Sequence, residues 1–475
     1  MTPETPTEDA IDALLTRYKR FGVDLGLDRI EVLLAALGNP HQHVPIVHVA
    51  GTNGKGSVCA CLSSVLTQAG YRVGRYTSPH LVRWNERICI SEQPISLDHL
   101  LRVLKQVDAA VDADQPSPTQ FEIITAAAWL YFAQQSVDIA VVEVGLGGRL
   151  DATNICNHPL VTVITSLSRE HWQQLGPTLA DIAREKAGIL KFGCPAVVGE
   201  LPAEAEAVVR ARLEELDCSA VWPKPARELS NGWVDWEGIQ YPLPFPGQHQ
   251  LMNSAIAIAT LLQLREQGWQ IAEEAIVSGM ANAYWPGRLQ WTTWHDAAGM
   301  AHPLLIDGAH NPAAAKMLRA YVDRVLSERA ERTLAVLPDA QETADLAQAS
   351  QSTLALKALP EQEPGSPNAD SSVTWLMGML STKDHTDVFQ ELLRPGDRLH
   401  LVPVPGHSSA DPRELSAIAQ AVCPNLSHCQ THESLEEGLR ALWPSQAPQA
   451  PDQDTLTVLC GSLYLIGHFF ATHVP

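Results

Sequence analysis

The sequence predicts an α/β protein made of two successive units, each a mainly parallel sheet covered by helices. Three observations carry that prediction. From residue 46 to about 289, short apolar runs alternate with helical patterns; a second alternation of the same kind begins near His302; and the first apolar run ends in a glycine-rich turn that leads straight into a helical pattern.

In the first unit the apolar runs 45–50, 137–144, 160–165 and 195–199 read as strands. Such runs without polar alternation suit strands buried on both faces. Helices are expected over 97–111, 121–135, 178–187 and 250–264, where apolar residues recur at helical spacing, and an apolar helical pattern covers 58–66. In the second unit, strands are expected at 304–306, 373–377, 398–402 and 456–460. The boundary falls within 290–301, giving domains 1–295 and 296–475. Residues 331–372, rich in Ala, Gln, Ser, Pro and acids, read as a mobile surface insertion in the second domain.

Composition narrows the classes of function. With 475 residues, 45% of them hydrophobic and 18% charged, the chain can bury two or three sizeable cores. A formal net charge of −21 argues against nucleic acid or an anionic membrane as partner, since both need a basic face. Nine cysteines, odd in number and without CxxC spacing, argue against zinc or disulfide frameworks and favour a reducing compartment. The first ten residues lack the basic and apolar regions of a signal peptide, and no uncharged apolar run nears the roughly 20 residues of a membrane span. A cytoplasmic location is therefore expected; a monomer is expected too, although no sequence feature excludes a dimer.

The most specific signal is Gly51-Thr-Asn-Gly-Lys-Gly-Ser57 between a strand and a helix. Gly51, Gly54 and Gly56 free backbone N–H groups to close on phosphate oxygens, Lys55 supplies a point charge, and Ser57 a hydroxyl for phosphate or metal. The loop is not a Walker A sequence, because Gly56 separates Lys55 from Ser57 and Val49 stands where the first glycine would be. In this form it resembles the nucleotide loop of the Mur ligase superfamily, specifically its folate branch, dihydrofolate synthase and folylpolyglutamate synthase. That resemblance implies a P-loop Mur-ligase-type ATPase domain followed by a smaller Rossmann-like α/β domain.

Further segments match the family in order. Glu143 ends an apolar strand and opens Val144-Gly-Leu-Gly-Gly-Arg-Leu-Asp-Ala-Thr-Asn154; Ser78 lies in Tyr76-Thr-Ser-Pro-His-Leu81; His171 lies in Arg169-Glu-His-Trp172, where Glu170 replaces the usual Asp. The resemblance implies that Ser78, Glu143 and His171 bind metal, two Mg²⁺ ions in all. It implies that Lys186, in Ala183-Arg-Glu-Lys186, is carboxylated by carbon dioxide into an anionic oxygen ligand. Asn253 and Arg288 resemble nucleotide contacts alongside Gly54, Lys55, Gly56 and Ser57, and Asp307, which opens Asp307-Gly-Ala-His-Asn-Pro312, resembles another. His310 and Ser462 resemble residues around an incoming glutamate, with Lys55, Lys186 and His310 in catalytic roles. Thr382 stands where the family's Gly-Met-Leu-x-Asp-Lys-Asp block has an acid.

Three segments resemble the pterin-binding parts of bacterial bifunctional members: Val23, Asp24 and Leu25; Thr119, Gln120 and Phe121; and Leu150, Asp151 and Ala152. Phe121 offers a flat face to an aromatic ligand, and Asp24 an acceptor for a pterin N–H edge. Together these imply ATP-dependent joining of L-glutamate to dihydropteroate and to reduced folates through an acyl phosphate, with small molecules as partners. Folylpolyglutamate synthesis alone, or ligation of a Mur-type acceptor, remain the alternatives.

Overall fold

The structure, a computed structural model, describes residues 6–18, 24–336, 372–443 and 455–473. Contacts divide the chain into two units, Met1–Gln290 with Ile466–Pro475, and Trp291–Leu465. The terminal segment 466–475 thus goes with the first unit, whereas the sequence reading assigns it to the second.

The first unit is built on an eight-stranded sheet: β1 (Ile46–Ala50), β2 (Val73–Tyr76), β3 (Ile88–Ile90), β4 (Gln93–Pro94), β5 (Ile139–Glu143), β6 (Val161–Ile164), β7 (Ala196–Val198) and β8 (Ala220–Val221). Their order is β4-β3-β2-β5-β1-β6-β7-β8. From β2 to β8 every neighbouring pair is parallel, and β3 and β4 close one edge antiparallel. Strands β1, β5 and β6 are buried at every position, because both faces are covered. Val47, Val49, Ile139 and Val141 pack under helices Lys55–Gln68 and His249–Glu266. Ile46, Ala140 and Val142 pack with the core of helices Leu97–Ala109 and Gln120–Gln134.

From β1 the chain runs to one side through β2 and later returns to the other through β6. In such open sheets a crevice for ligands forms at the carboxyl ends where the order reverses. The loops that follow β1, β2, β5 and β6 carry Gly54, Ser78, the 144–154 block and Thr165 to that edge.

A small three-stranded antiparallel sheet, β9 (Arg227–Glu228), β10 (Trp233–Trp236) and β11 (Ile239–Pro242), adds Val234, Trp236 and Tyr241 to the first core.

The second unit has a six-stranded sheet: β12 (Gln290–His295), β13 (Ala301–Ile306), β14 (Val373–Met377), β15 (Arg398–Leu401), β16 (His428–Thr431) and β17 (Leu456–Cys460). The order is β12-β13-β17-β14-β15-β16, with parallel pairing from β13 to β16. Helix Pro312–Val336 runs six residues into the segment read as an insertion, and 337–371 lies outside the described residues. In the same unit Arg319, Trp375 and the backbone N–H of Arg394 all donate to the Asp397 carboxylate, a buried knot that ties the long helix to β14 and to the turn before β15.

All nine cysteines are free thiols. No helix among the described residues is long and apolar enough to cross a membrane.

Candidate active site

In the first unit the site is assembled around the loop after β1. Gly54 caps helix Lys55–Gln68 with φ 87°, in the left-handed region that favours glycine, and a Cβ there would run into the Asn253 side chain. Gly56 has no such strain, yet its Cβ would lie 2.5 Å from Cζ2 of Trp285. Helix His249–Glu266 therefore presses directly on the loop. Asn253 donates to Gln250 (2.9 Å), and Gln250 Nε2 reaches Ser57 Oγ (3.4 Å). On the other side Thr165 and Ser166 donate to the Asn53 carbonyl at 2.7 and 3.0 Å. The loop is held from β6 and from a helix 200 residues away in sequence.

Lys55 Nζ lies 3.2 Å from the Thr52 carbonyl and 3.9 Å from Oε1 of Glu143. Glu143, the last residue of β5, is buried, and its other oxygen accepts from the Ser78 backbone N–H at 3.3 Å. Burial pushes its carboxyl pKa up, while Lys55, the Ser78 N–H and Arg288 pull it down. The carboxylate is thus poorly compensated by one loose ion pair and one long hydrogen bond. A hard divalent cation fits such a donor, because it supplies the missing positive charge and prefers carboxylate oxygen.

Lys186, on helix Leu179–Ala187, is also buried and donates to the Gly51 carbonyl at 2.7 Å. Burial, with Lys55 second, lowers its pKa to about 7, against the opposing pull of Glu170, Asp151 and Glu143. Near neutrality a large share of this lysine is an uncharged amine. Lys55, Ser78, Glu143 and Lys186 are therefore electrostatically linked around one loop. His171 caps the short helix Trp172–Leu175 with φ 51°, and its half-exposed ring stands 3.8 Å from Glu170. Among the described residues no three His, Cys, Asp or Glu side chains form a metal cluster.

The pterin-like segments fall around the same sheet edge and N-terminal helices. Thr119 caps helix Gln120–Gln134 in a reciprocal capping box with Glu122, and the Gln120 side chain donates to the Leu15 carbonyl. Phe121 packs on Gly145 of the loop after β5, its ring 6.2 Å from that of Tyr76. Asp24 pairs with Arg29 (3.2 Å), which also binds Glu122. Val23 lies outside the described residues.

Asp151 is engaged by its own loop: one oxygen accepts from Leu146 N–H (2.7 Å), the other from Thr153 N–H and hydroxyl (3.0 and 2.6 Å). Leu150 and Ala152 flank it, Leu150 half-buried and Ala152 buried. Thr153 in turn meets His48 of β1 at 2.9 Å, so Asp151 fixes the block to the sheet.

In the second unit Asp307 follows β13 and accepts from Ala309 N–H at 2.8 Å. The His310 ring and the Gly308 carbonyl are 2.6 Å apart, and Ala309 accepts from Gly461 N–H at 3.0 Å. Ser462 is buried and accepts from Tyr464 N–H at 3.2 Å. Because β13 and β17 are parallel neighbours, the loops bearing Asp307, His310 and Ser462 emerge together at their carboxyl ends.

Sequence reasoning alone missed Trp285, Gln250, Thr165 and Ser166 as neighbours of the phosphate loop. Trp285 and Gln250 had a local cue, their places in Trp285-Pro-Gly-Arg288 and Gln250-Leu-Met-Asn253; Thr165 and Ser166 had none.

Comparison with known proteins follows these two units. The family profile described as the Mur ligase middle domain matches residues 49–261, and that of the dihydrofolate synthetase C-terminal domain matches 326–472. The chain is 40% identical over 334 residues to dihydrofolate synthase/folylpolyglutamate synthase of Bacillus subtilis, covering 66% of this chain and 75% of that one. It is 34% identical to folylpolyglutamate synthase of Lacticaseibacillus casei, over 92% of each chain. A solved structure of Mycobacterium tuberculosis folylpolyglutamate synthase complexed with ADP is similar at TM-score 0.77 and 27% identity, over 98% of both chains.

Proposed function

Because this chain belongs to the dihydrofolate synthase/folylpolyglutamate synthase family, within the Mur ligases, we propose that it joins L-glutamate to both dihydropteroate and reduced folates at the expense of ATP. It is a carbon–nitrogen ligase that adds glutamate to folates. The observation that carries the finer reading is the loop Gly51–Ser57, with Lys55 beside a buried, under-compensated Glu143.

A free carboxylate is a poor electrophile. In the proposed reaction an oxygen of the pterin substrate's carboxylate attacks the γ-phosphorus of ATP and ADP leaves. The glutamate amine then attacks the acyl carbon, the amide bond forms, phosphate departs, and the amine proton is released. Lys55, Ser57 and the loop N–H groups bind the phosphates and stabilise charge that grows on the transferring group. Asn253, Arg288 and Asp307 contact nucleotide, and His310 and Ser462 the glutamate. Asp24, Leu25, Thr119, Gln120, Phe121, Leu150, Asp151 and Ala152 belong to the pterin side.

Glu143, Ser78 and His171 would hold Mg²⁺, which would supply positive charge against the phosphates. The fit of Lys186 to carboxylation rests on its near-neutral amine: its Nζ lone pair attacks carbon dioxide, a C–N bond forms, and a proton is lost. The product is an anion where a buried ammonium stood. The same reading places the protein in the cytoplasm as a monomer.

The acyl-phosphate route is tested with substrate carrying ¹⁸O in the reacting carboxylate. Label in the released phosphate is expected; unlabelled phosphate with full amide formation would overturn that route.

A further inference from the structure

The departure of the loop from the Walker A pattern, Gly56 between Lys55 and Ser57, has a structural counterpart. The indole edge of Trp285 fills the space a side chain at 56 would need, with Cζ2, Cε2 and Nε1 all within 2.6 Å of a Cβ built there. Trp285 is backed by a cation. The Arg75 guanidinium stands 5.5 Å from the indole centroid, within the range of a cation–π contact.

Arg75 is itself buried on β2, with NH1 on Glu92 at 2.6 Å, NH2 near Cys89 Sγ at 3.5 Å, and Nε without a hydrogen-bond partner among the described residues. Glu92 also accepts from the Ser63 hydroxyl, two turns along the helix that begins at Lys55. The circuit Gly56, Trp285, Arg75, Glu92, Ser63 thus returns to the helix it started from.

We propose that Trp285, held by Arg75, is a positioning residue for the nucleotide loop: it clamps the first turn of the helix so that Lys55 and Ser57 meet the phosphates in register. Neither Trp285 nor Arg75 is required to touch the nucleotide. The glycine at 56 then follows from packing: the space beside it belongs to the indole.

The proposal rests on the nucleotide-loop reading, and the experiment separates the two. ADP binding is measured by calorimetry and ATP and glutamate KM by kinetics, for the wild type and for Trp285→Leu, Trp285→Phe, Gly56→Ala and the double variant Gly56→Ala/Trp285→Leu. Trp285→Leu should raise the ATP KM and weaken ADP on the order of tenfold to a hundredfold, as misplacement of a binding group does, with the glutamate KM and the thermal midpoint little changed. Trp285→Phe, which keeps an aromatic face for Arg75, should recover most of that loss. Gly56→Ala should be impaired alone and less so with Trp285→Leu, a non-additivity expected of groups in contact. Normal ADP binding by Trp285→Leu, or strict additivity in the cycle, would overturn the clamp alone. Failure of the wild type to bind ADP would overturn the loop reading and the clamp with it.

Discussion

Lys186 donates from Nζ to the carbonyl of Gly51 at 2.7 Å, tying helix Leu179–Ala187 to the first residue of the nucleotide loop. Burial brings this lysine to about 7 from an ordinary 10.5. Between those values the unfolded chain holds the proton and the folded chain does not, so stability of the uncarboxylated protein should rise with pH across that window and fall as pH drops through 7. Thermal midpoints against pH in carbon dioxide-free buffer should show the rise, and Lys186→Met should flatten it. An unchanged slope in the variant would contradict the buried amine.

Carboxylation gives the same residue a second test. Dialysis against carbonate-free buffer should slow turnover and added bicarbonate should restore it, with ¹³C-bicarbonate yielding a carbamate signal absent from Lys186→Ala. Equal activity with and without bicarbonate, together with an active Lys186→Ala, would remove the modification from the account.

Lys55→Ala should lower turnover on the order of 10²–10³-fold, the size of a lost transition-state charge contact, while circular dichroism and thermal midpoint stay near wild type. The side chain's contacts are a backbone carbonyl and one 3.9 Å ion pair, so little stability hangs on it. A variant with wild-type turnover would contradict the phosphate role.

Glu143 behaves in the opposite sense to Lys186. Its folded pKa is raised above 4.5, so its contribution to stability is present at low pH and lost as pH rises through the folded value. Glu143→Gln should therefore be at least as stable as wild type at neutral pH, yet lose Mg²⁺-dependent turnover. A destabilised variant that still responds to Mg²⁺ as wild type does would count against the cation site.

Asp151→Ala should cost about 1–3 kcal/mol for the buried donors it strands, because the carboxylate serves Leu146 N–H and both donors of Thr153. The measurement is denaturant unfolding. A variant of unchanged stability with a raised KM for the pterin substrate would instead make Asp151 a ligand contact only.

What could be read from the sequence was set by local pattern. Strands β1, β5, β6, β7, β14 and β17 are buried on both faces, as are β13 over 304–306 and β15 after Arg398, and the expected ranges fall on them. Gly54, Lys55 and Glu143 are singled out where a motif meets a strand end, whereas Lys186, on helix Leu179–Ala187, is singled out only by the family resemblance. Strand β2 was missed, since Val73–Tyr76 carries a glycine and a buried arginine whose partner Glu92 is 17 residues away. Strands β9 and β8 have two residues each, too short for any period. Gln250 meets Ser57 across 193 positions, and nothing near either residue marks that contact. Asp151 is read for the ligand from its motif, and nothing in that motif signals that its carboxylate also accepts from Leu146 and Thr153 of its own loop.

The most direct test of the central claim is to incubate the purified protein with Mg·ATP, L-glutamate and either dihydropteroate or tetrahydrofolate, following ADP and the mass of the pterin product. Both acceptors should gain a glutamyl residue, with one ADP formed per amide bond. Addition to tetrahydrofolate alone would contradict the dual acceptor range, and addition to neither would contradict the ligase reading itself.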